Sequence, residues 1–168
     1  MNNIFEKEWL EKNVFYSLLN ENKLKHIFYF PILWNIFEKE LCNNIALINK
    51  YKEISREITI NPSKEKEINS IYNYFKNRYI KERWRFEYLK FRNNKTEQDI
   101  KREILERFSK EEIKLLEKIE VILCIAFRIR NNLYHGEKQV DKLYEQNENF
   151  AQINKFLILA IEGYKNDN

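Results

Sequence analysis

The sequence predicts an all-α protein, an antiparallel bundle of five to six helices. Three observations carry that expectation. Apolar residues recur at spacings of three and four, as in Ile113, Leu116, Ile119, Leu123, Ala126 and Phe127. Only two glycines and two prolines interrupt 168 residues, so tight turns are scarce. No segment alternates long enough to make a strand; Ile58-Thr59-Ile60 is the best candidate and is too short.

Each element has its own signal. Residues 4–20 read as an amphipathic helix with Ile4, Phe5, Trp9, Leu10 and Phe15 on its apolar side, broken by Asn20-Glu21-Asn22. Ile27 to Phe30 runs into Pro31, and proline suits the first turn of a helix, so a fresh helix is expected there. It carries Ile32, Leu33, Ile36, Phe37 and Leu41 and continues past Asn43-Asn44 toward Tyr51. Asn61-Pro62 is a restart, with asparagine as N-cap and proline at the first helical position. That helix runs through Ile68, Ile71, Tyr72 and Phe75 toward Phe91 and ends at Asn93-Asn94. Thr96, with Asp99 three residues on, starts a short helix to Phe108. Ser109 and Glu112 match the capping box S-x-x-E and open the longest helix, which runs to Asn132 with Gly136 as its stop. A final helix over 146–164 turns Phe150, Ile153, Phe156, Leu157 and Ala160 inward. The chain reads as one domain, with residues 1–30 as an N-terminal helical extension and 31–164 as the core bundle.

Composition narrows the function. With 43% hydrophobic and 15% aromatic residues, the chain can bury a true core. The net charge of +4 fits a polyanion partner. Cys42 and Cys124 lie in apolar helical patterns, which suits two buried thiols in a reducing cytosol. Acidic residues interrupt the N-terminus and no apolar stretch follows, so it does not read as a signal peptide. No run of about 18 apolar residues occurs, so no contact with a membrane interior is expected and a cytoplasmic location is. Two histidines and two distant cysteines make no zinc set. No phosphate-binding glycine loop, dinucleotide fingerprint or G-x-S-x-G elbow is present. Neither a metal nor a cofactor is expected.

The chemistry concentrates in Phe127-Arg128-Ile129-Arg130-Asn131-Asn132-Leu133-Tyr134-His135-Gly136, at the end of the longest helix. Arg130 and His135 have the spacing R-x4-H, with Asn131 directly after the arginine. A guanidinium holds a phosphate through a planar fork, and an imidazole moves a proton near neutral pH. Extending the Leu123–Phe127 stripe leads to Arg130, which should face the same groove as the core. Arg, Asn and Gly at a helix end are also ordinary capping chemistry, and R-x4-H alone is a weak motif. On an ideal helix Asn131 and His135 share a face, so the amide is placed to fix the imidazole tautomer. Arg130 and His135 point about 140° apart, so they meet on one ligand only through a distorted last turn or a second subunit.

The string Arg130-Asn131-Asn132-Leu133-Tyr134-His135-Gly136 resembles the signature of the HEPN superfamily, especially its Apea-like branch. A looser similarity is Trp34-Asn35-Ile36-Phe37-Glu38 on an early helix; from Pro31 to Tyr164 the likeness is architectural, and residues 1–30 lie outside it. The resemblance implies an all-α endoribonuclease that dimerises around two R-x4-H motifs, needs no metal and leaves a 2′,3′-cyclic phosphate. Arg130 would then hold the scissile phosphate, His135 would exchange a proton with the 2′-hydroxyl or the 5′-oxygen, and Asn131 would orient one of them. It also implies a role as a toxin or phage-defence effector, with an antitoxin or defence-system protein as a possible partner. Toxins of the family that pair with a nucleotidyltransferase antitoxin often carry a tyrosine two residues after the histidine; this chain has Glu137 there, and Tyr134 does not replace it.

Residues 64–95 hold ten Lys/Arg against four Asp/Glu, interleaved with Tyr72, Tyr74, Phe75, Tyr79, Trp84, Phe86, Tyr88 and Phe91. Most of those rings should be core, and some of the charges should meet an RNA backbone. The candidate RNA contacts are Lys81, Arg83 and Arg85, which alternate and so cannot share one helix face, with Arg128 and Lys138 beside the motif. Glu38 and Tyr134 are secondary candidates, Glu38 as a salt-bridge partner of Arg128 or Arg130. Two other readings compete with the nuclease: a catalytically silent HEPN module that binds RNA, a nucleotide or a protein, and a purely structural helical adaptor. The first needs Arg130 without the proton chemistry of His135; the second needs neither.

Overall fold

The computed structural model describes residues 5–134 and 140–167; His135 and Lys138 lie outside the described residues. Among the described residues eight α-helices follow one another: α1 (Phe5–Leu10), α2 (Lys25–Leu41), α3 (Tyr51–Glu57), α4 (Glu65–Lys81), α5 (Arg83–Glu87), α6 (Lys95–Ser109), α7 (Leu115–Tyr134) and α8 (Asn147–Asp167). No strand occurs among the described residues, so the all-α class holds. Every residue from Ile119 to Ile129 is buried, including Glu120 and Arg128. A helix enclosed on all sides is the centre of its fold. α3, α4 and α6 pack around α7, and Phe127 meets Trp34 of α2 edge to face at 5.3 Å. α8 lies chiefly along α2.

The α2–α8 pair departs from the antiparallel expectation. His26 N–H donates to Asn147 Oδ1, Phe30 meets Phe150 at 5.0 Å, and Leu33 shares a small cavity with Ile158. Contact positions advance together along the two helices, so they run in the same direction. The long path between them in sequence makes that pairing possible.

Several boundaries also move, each for a local reason. α2 passes through Pro31 instead of starting there. Ile27, Phe30, Trp34, Phe37 and Leu41 form one buried stripe across the proline. Burial of large side chains, at about 1.5–3 kcal/mol each, outweighs the roughly 3 kcal/mol cost of an interior proline. The core therefore begins at Leu24, six residues before the expected boundary ends. α2 stops at Leu41 because Asn43 and Asn44 take positive φ values of 48° and 60°, which asparagine tolerates. The first predicted helix is only α1 followed by a π turn over Glu11–Phe15; Phe5 and Trp9 stay exposed, and Phe15 packs against Tyr144. Asn61 caps the Pro62 turn that leads into α4 by accepting from Ser63 N–H, as expected. α4 ends at Lys81, where Glu82 leaves helical geometry, so the helix does not reach Phe91. Asn94, not Thr96, caps α6. Ser109 ends α6 and donates to Glu106 O, so it caps nothing; Glu117 accepts from Lys114 N–H at the start of α7. α8 buries Phe150, Ile153, Phe156, Leu157 and Ala160 as expected.

Two smaller features matter to the core. Gly163 lets the Ile58–Ile60 segment lie directly on α8: a Cβ there would sit 1.6 Å from the Thr59 carbonyl oxygen. Cys42 and Cys124 are buried free thiols; burial, with help from Glu38, pushes the Cys42 thiol up to about 12. Among the described residues no helix is long and apolar enough to cross a membrane.

Glu103 ties α3 to α6. Burial alone would raise its carboxyl, but hydrogen bonds from Tyr51 Oη (2.5 Å) and Lys52 Nζ (3.1 Å) outweigh that and hold it below its ordinary value. A depressed carboxyl adds stability above its unfolded pKa, and that stability is lost as pH falls through the folded value. Glu103→Gln should therefore lower the melting temperature at neutral pH, and the gap to the parent should close as pH falls through the lowered carboxyl's titration range. A gap that stays constant across that range would show that Glu103 acts only through packing.

Candidate functional site

Two arginines two residues apart on α7 have opposite fates. Arg128 is 4% exposed. Its Nε donates to Leu89 O at 2.9 Å, and its Nη2 donates to Lys90 O and to Asn132 Oδ1. Its Nη1 lies 3.1 Å from Glu97 Oε2. Asn132, one turn on, donates to Tyr88 O and Leu89 O. Glu97 in turn accepts from Arg92 N–H at 2.8 Å. The group pins residues 88–92 against α7 and holds Lys90 at φ 48°. The structure thus corrects Arg128 as an RNA contact: its guanidinium is committed to the interior.

Arg130 faces the other way, onto α2. Its guanidinium carbon lies 5.9 Å from the Trp34 ring centre and 5.3 Å from that of Tyr134. The Phe127–Arg130 stripe therefore does lead into one groove, since Trp34 meets both. Glu38 is the partner on α2, with Oε2 3.9 Å from Arg130 Nη2, and not the partner of Arg128. That carboxylate is itself held by Trp34 Nε1 (2.9 Å) and Ala46 N–H (3.3 Å). Asn131 Oδ1 accepts from Arg130 Nη1 at 3.2 Å. It is the one hydrogen bond the Arg130 guanidinium makes among the described residues. Its Nε is enclosed without a hydrogen-bond partner there. The side chain is 29% exposed, beside the exposed Tyr134 at the last turn of α7. A guanidinium has five donors; this fork is positioned by rings and a carboxylate but mostly unspent, which suits an anion.

Comparison with family models, curated proteins and solved structures finds no match. The site therefore rests on its own geometry. The structure brings Arg130, Asn131, Glu38 and Tyr134 together. His135 and Lys138 lie outside the described residues. Lys81 and Arg83 are exposed at the α4–α5 break, whereas Arg85 is half-buried, paired with Glu82 and set over Trp84 at 4.8 Å. Among the described residues no three His, Cys, Asp or Glu side chains gather as metal ligands would.

Sequence reasoning missed Glu97, Asn132 and the supporting role of Trp34. One signal for Glu97 was present: Asn94-x-x-Glu97 has capping-box spacing, two residues ahead of Thr96. Arg128 and Asn132 are four apart and share a helix face, the usual sign of a cooperating pair.

Proposed function

We propose that the chain is a metal-independent endoribonuclease, with Arg130 holding the scissile phosphate and His135 moving the proton. The observation that carries this reading is the contrast between the two arginines. The Arg128 guanidinium is built into the fold. Arg130 is aimed but under-used, half-open, and five residues before a histidine. The likeness of 130–136 to the HEPN signature supports the same assignment.

In this reaction the 2′-hydroxyl oxygen attacks the adjacent phosphorus and the bond to the 5′-oxygen breaks. The proton leaves the 2′-oxygen and another arrives on the 5′-oxygen; His135 serves one of these transfers. Arg130 stabilises the charge that builds on the phosphate oxygens. Asn131 keeps the guanidinium oriented through its 3.2 Å hydrogen bond. A homodimer, a toxin or defence role and a regulatory partner protein belong to the same proposal.

One observation favours the silent binding module. Glu38 already offers Arg130 a carboxylate, so an anion would have to share or displace it. The two readings differ in proton chemistry. Purified protein should cut single-stranded RNA in EDTA, leave 2′,3′-cyclic phosphate and 5′-hydroxyl ends, and lose at least ~100-fold in rate on His135→Ala. Binding of RNA without cleavage would select the silent module. Cleavage that disappears with chelator, or 3′-hydroxyl products, would overturn the mechanism.

A further inference from the structure

The α4–α6 connection carries a feature that the cleavage reaction itself does not use. Of the eight rings between Tyr72 and Phe91, the structure buries Tyr72, Phe75, Tyr79 and Phe86 and half-buries Tyr74 and Phe91. Trp84 and Tyr88 are left 58% and 63% exposed. They are four apart across α5, with ring centres 5.5 Å apart and planes at 81°, so they form an open corner. Exposing two large rings side by side is costly without a partner.

The surroundings say which partner. Residues 76–92 hold seven Lys/Arg against two Glu, while the whole chain is only +4. Lys81, Arg83 and Lys90 are exposed beside the rings, and the Arg85 guanidinium lies 4.8 Å from the centre of Trp84. The corner is also rigidly placed. Asn132 donates to Tyr88 O at 3.0 Å and Arg128 donates to Leu89 O at 2.9 Å, so the segment is fastened to the last turns of α7. Those turns also carry Arg130. An apolar protein partner would not call for this charge excess. Duplex RNA hides its base faces and offers phosphate alone. Only unpaired bases use both the rings and the cations.

We infer that Trp84 and Tyr88 form a base-stacking platform for single-stranded RNA, with Lys81 and Arg83 on its backbone. The inference deepens the nuclease reading by naming unpaired RNA as the substrate class. It rests on that reading for the chemistry but not for binding. A base lies on one ring with its edge against the face of the other, and the strand continues toward the end of α7.

The test measures binding without cleavage, using a fluorescein-labelled 2′-O-methyl oligoadenylate that has no 2′-hydroxyl to attack. Trp84→Ala should weaken binding on the order of 10- to 100-fold, because stacking is worth about 1–3 kcal/mol per base. Trp84→Phe should keep most of it. Tyr88→Ala gives an independent reading from the second ring. Arg83→Gln should reduce the slope of log affinity against log salt by ~0.7, as for one lost backbone contact. Affinity unchanged in both Trp84→Ala and Tyr88→Ala would overturn the platform. So would a change only in sedimentation, which would mark the rings as a protein contact. Trp84-dependent binding without cleavage of natural RNA would keep the platform and sink the nuclease. Cleavage with a KM indifferent to both rings would do the reverse.

Discussion

Arg128→Ala should destabilise the fold by about 3–5 kcal/mol, the cost of removing one partner from a buried ion pair. Three effects combine. Glu97 keeps a buried carboxylate without its buried cation, left with only the exposed Arg92 guanidinium 3.8 Å away. The Lys90 carbonyl loses its Arg128 donor and the Leu89 carbonyl keeps only Asn132; an orphaned buried group costs about 1–3 kcal/mol. Lys90 then has less to hold it in the left-handed region, where a residue with a Cβ is disfavoured by roughly 1–2 kcal/mol. Urea unfolding reads the loss as a lower midpoint with an unchanged slope. Arg128→Met combined with Glu97→Gln should recover part of it, because both charges leave together. A loss below about 1 kcal/mol would show that the pair is no more than a surface contact. The same variant separates the two arginines: Arg128→Ala should show first as lost stability, whereas Arg130→Ala should lower RNA affinity and cleavage in a fold that stays intact.

The sequence announced the helices well where one face is apolar and poorly where burial is total. α8 shows the first case, since its inward residues are spaced by three and four and every one is buried. α7 shows the second. From Ile119 to Ile129 no face is left to solvent, so a stripe read from the sequence cannot say which arginine ends up inside. The outcome depends on what packs opposite each one. Arg128 meets backbone carbonyls and Glu97, which satisfy it; Arg130 meets rings and a carboxylate 3.9 Å away, which only hold it. Pro31 misled for a related reason. A local rule placed a helix start there, and tertiary burial of Ile27 and Phe30 overrode it. The break at Glu82 had no local signal at all. It is what exposes Trp84 and Tyr88, so the candidate stacking corner was visible in composition but not in shape.

The largest effect on activity should come from Arg130 and His135, and their mixture should show where the site is built. Arg130→Ala and His135→Ala should each reduce cleavage by about 100- to 10,000-fold. Arg130→Ala should leave stability nearly intact, since among the described residues the guanidinium makes a single hydrogen bond and is partly exposed. Arg130→Lys should not restore activity, because a point charge cannot replace a fork already aimed by Trp34, Tyr134 and Asn131. On an ideal helix the two residues point about 140° apart. A two-fold pairing of α7 ends would bring the arginine of one protomer to the histidine of the other, through an isologous contact. Mixing the two inactive variants would then restore one intact site in each mixed dimer. Random pairing makes half the dimers mixed, and each has one working site of two, so activity should return to about a quarter of the parent. Sites complete within one protomer would restore nothing, since every Arg130 or His135 in the mixture would lack its partner. Equally, a protein that sediments as a monomer at the assay concentration and still cleaves RNA would exclude the shared site. Recovery near a quarter, with Arg130→Lys still inactive, would place the fork and the imidazole on opposite subunits.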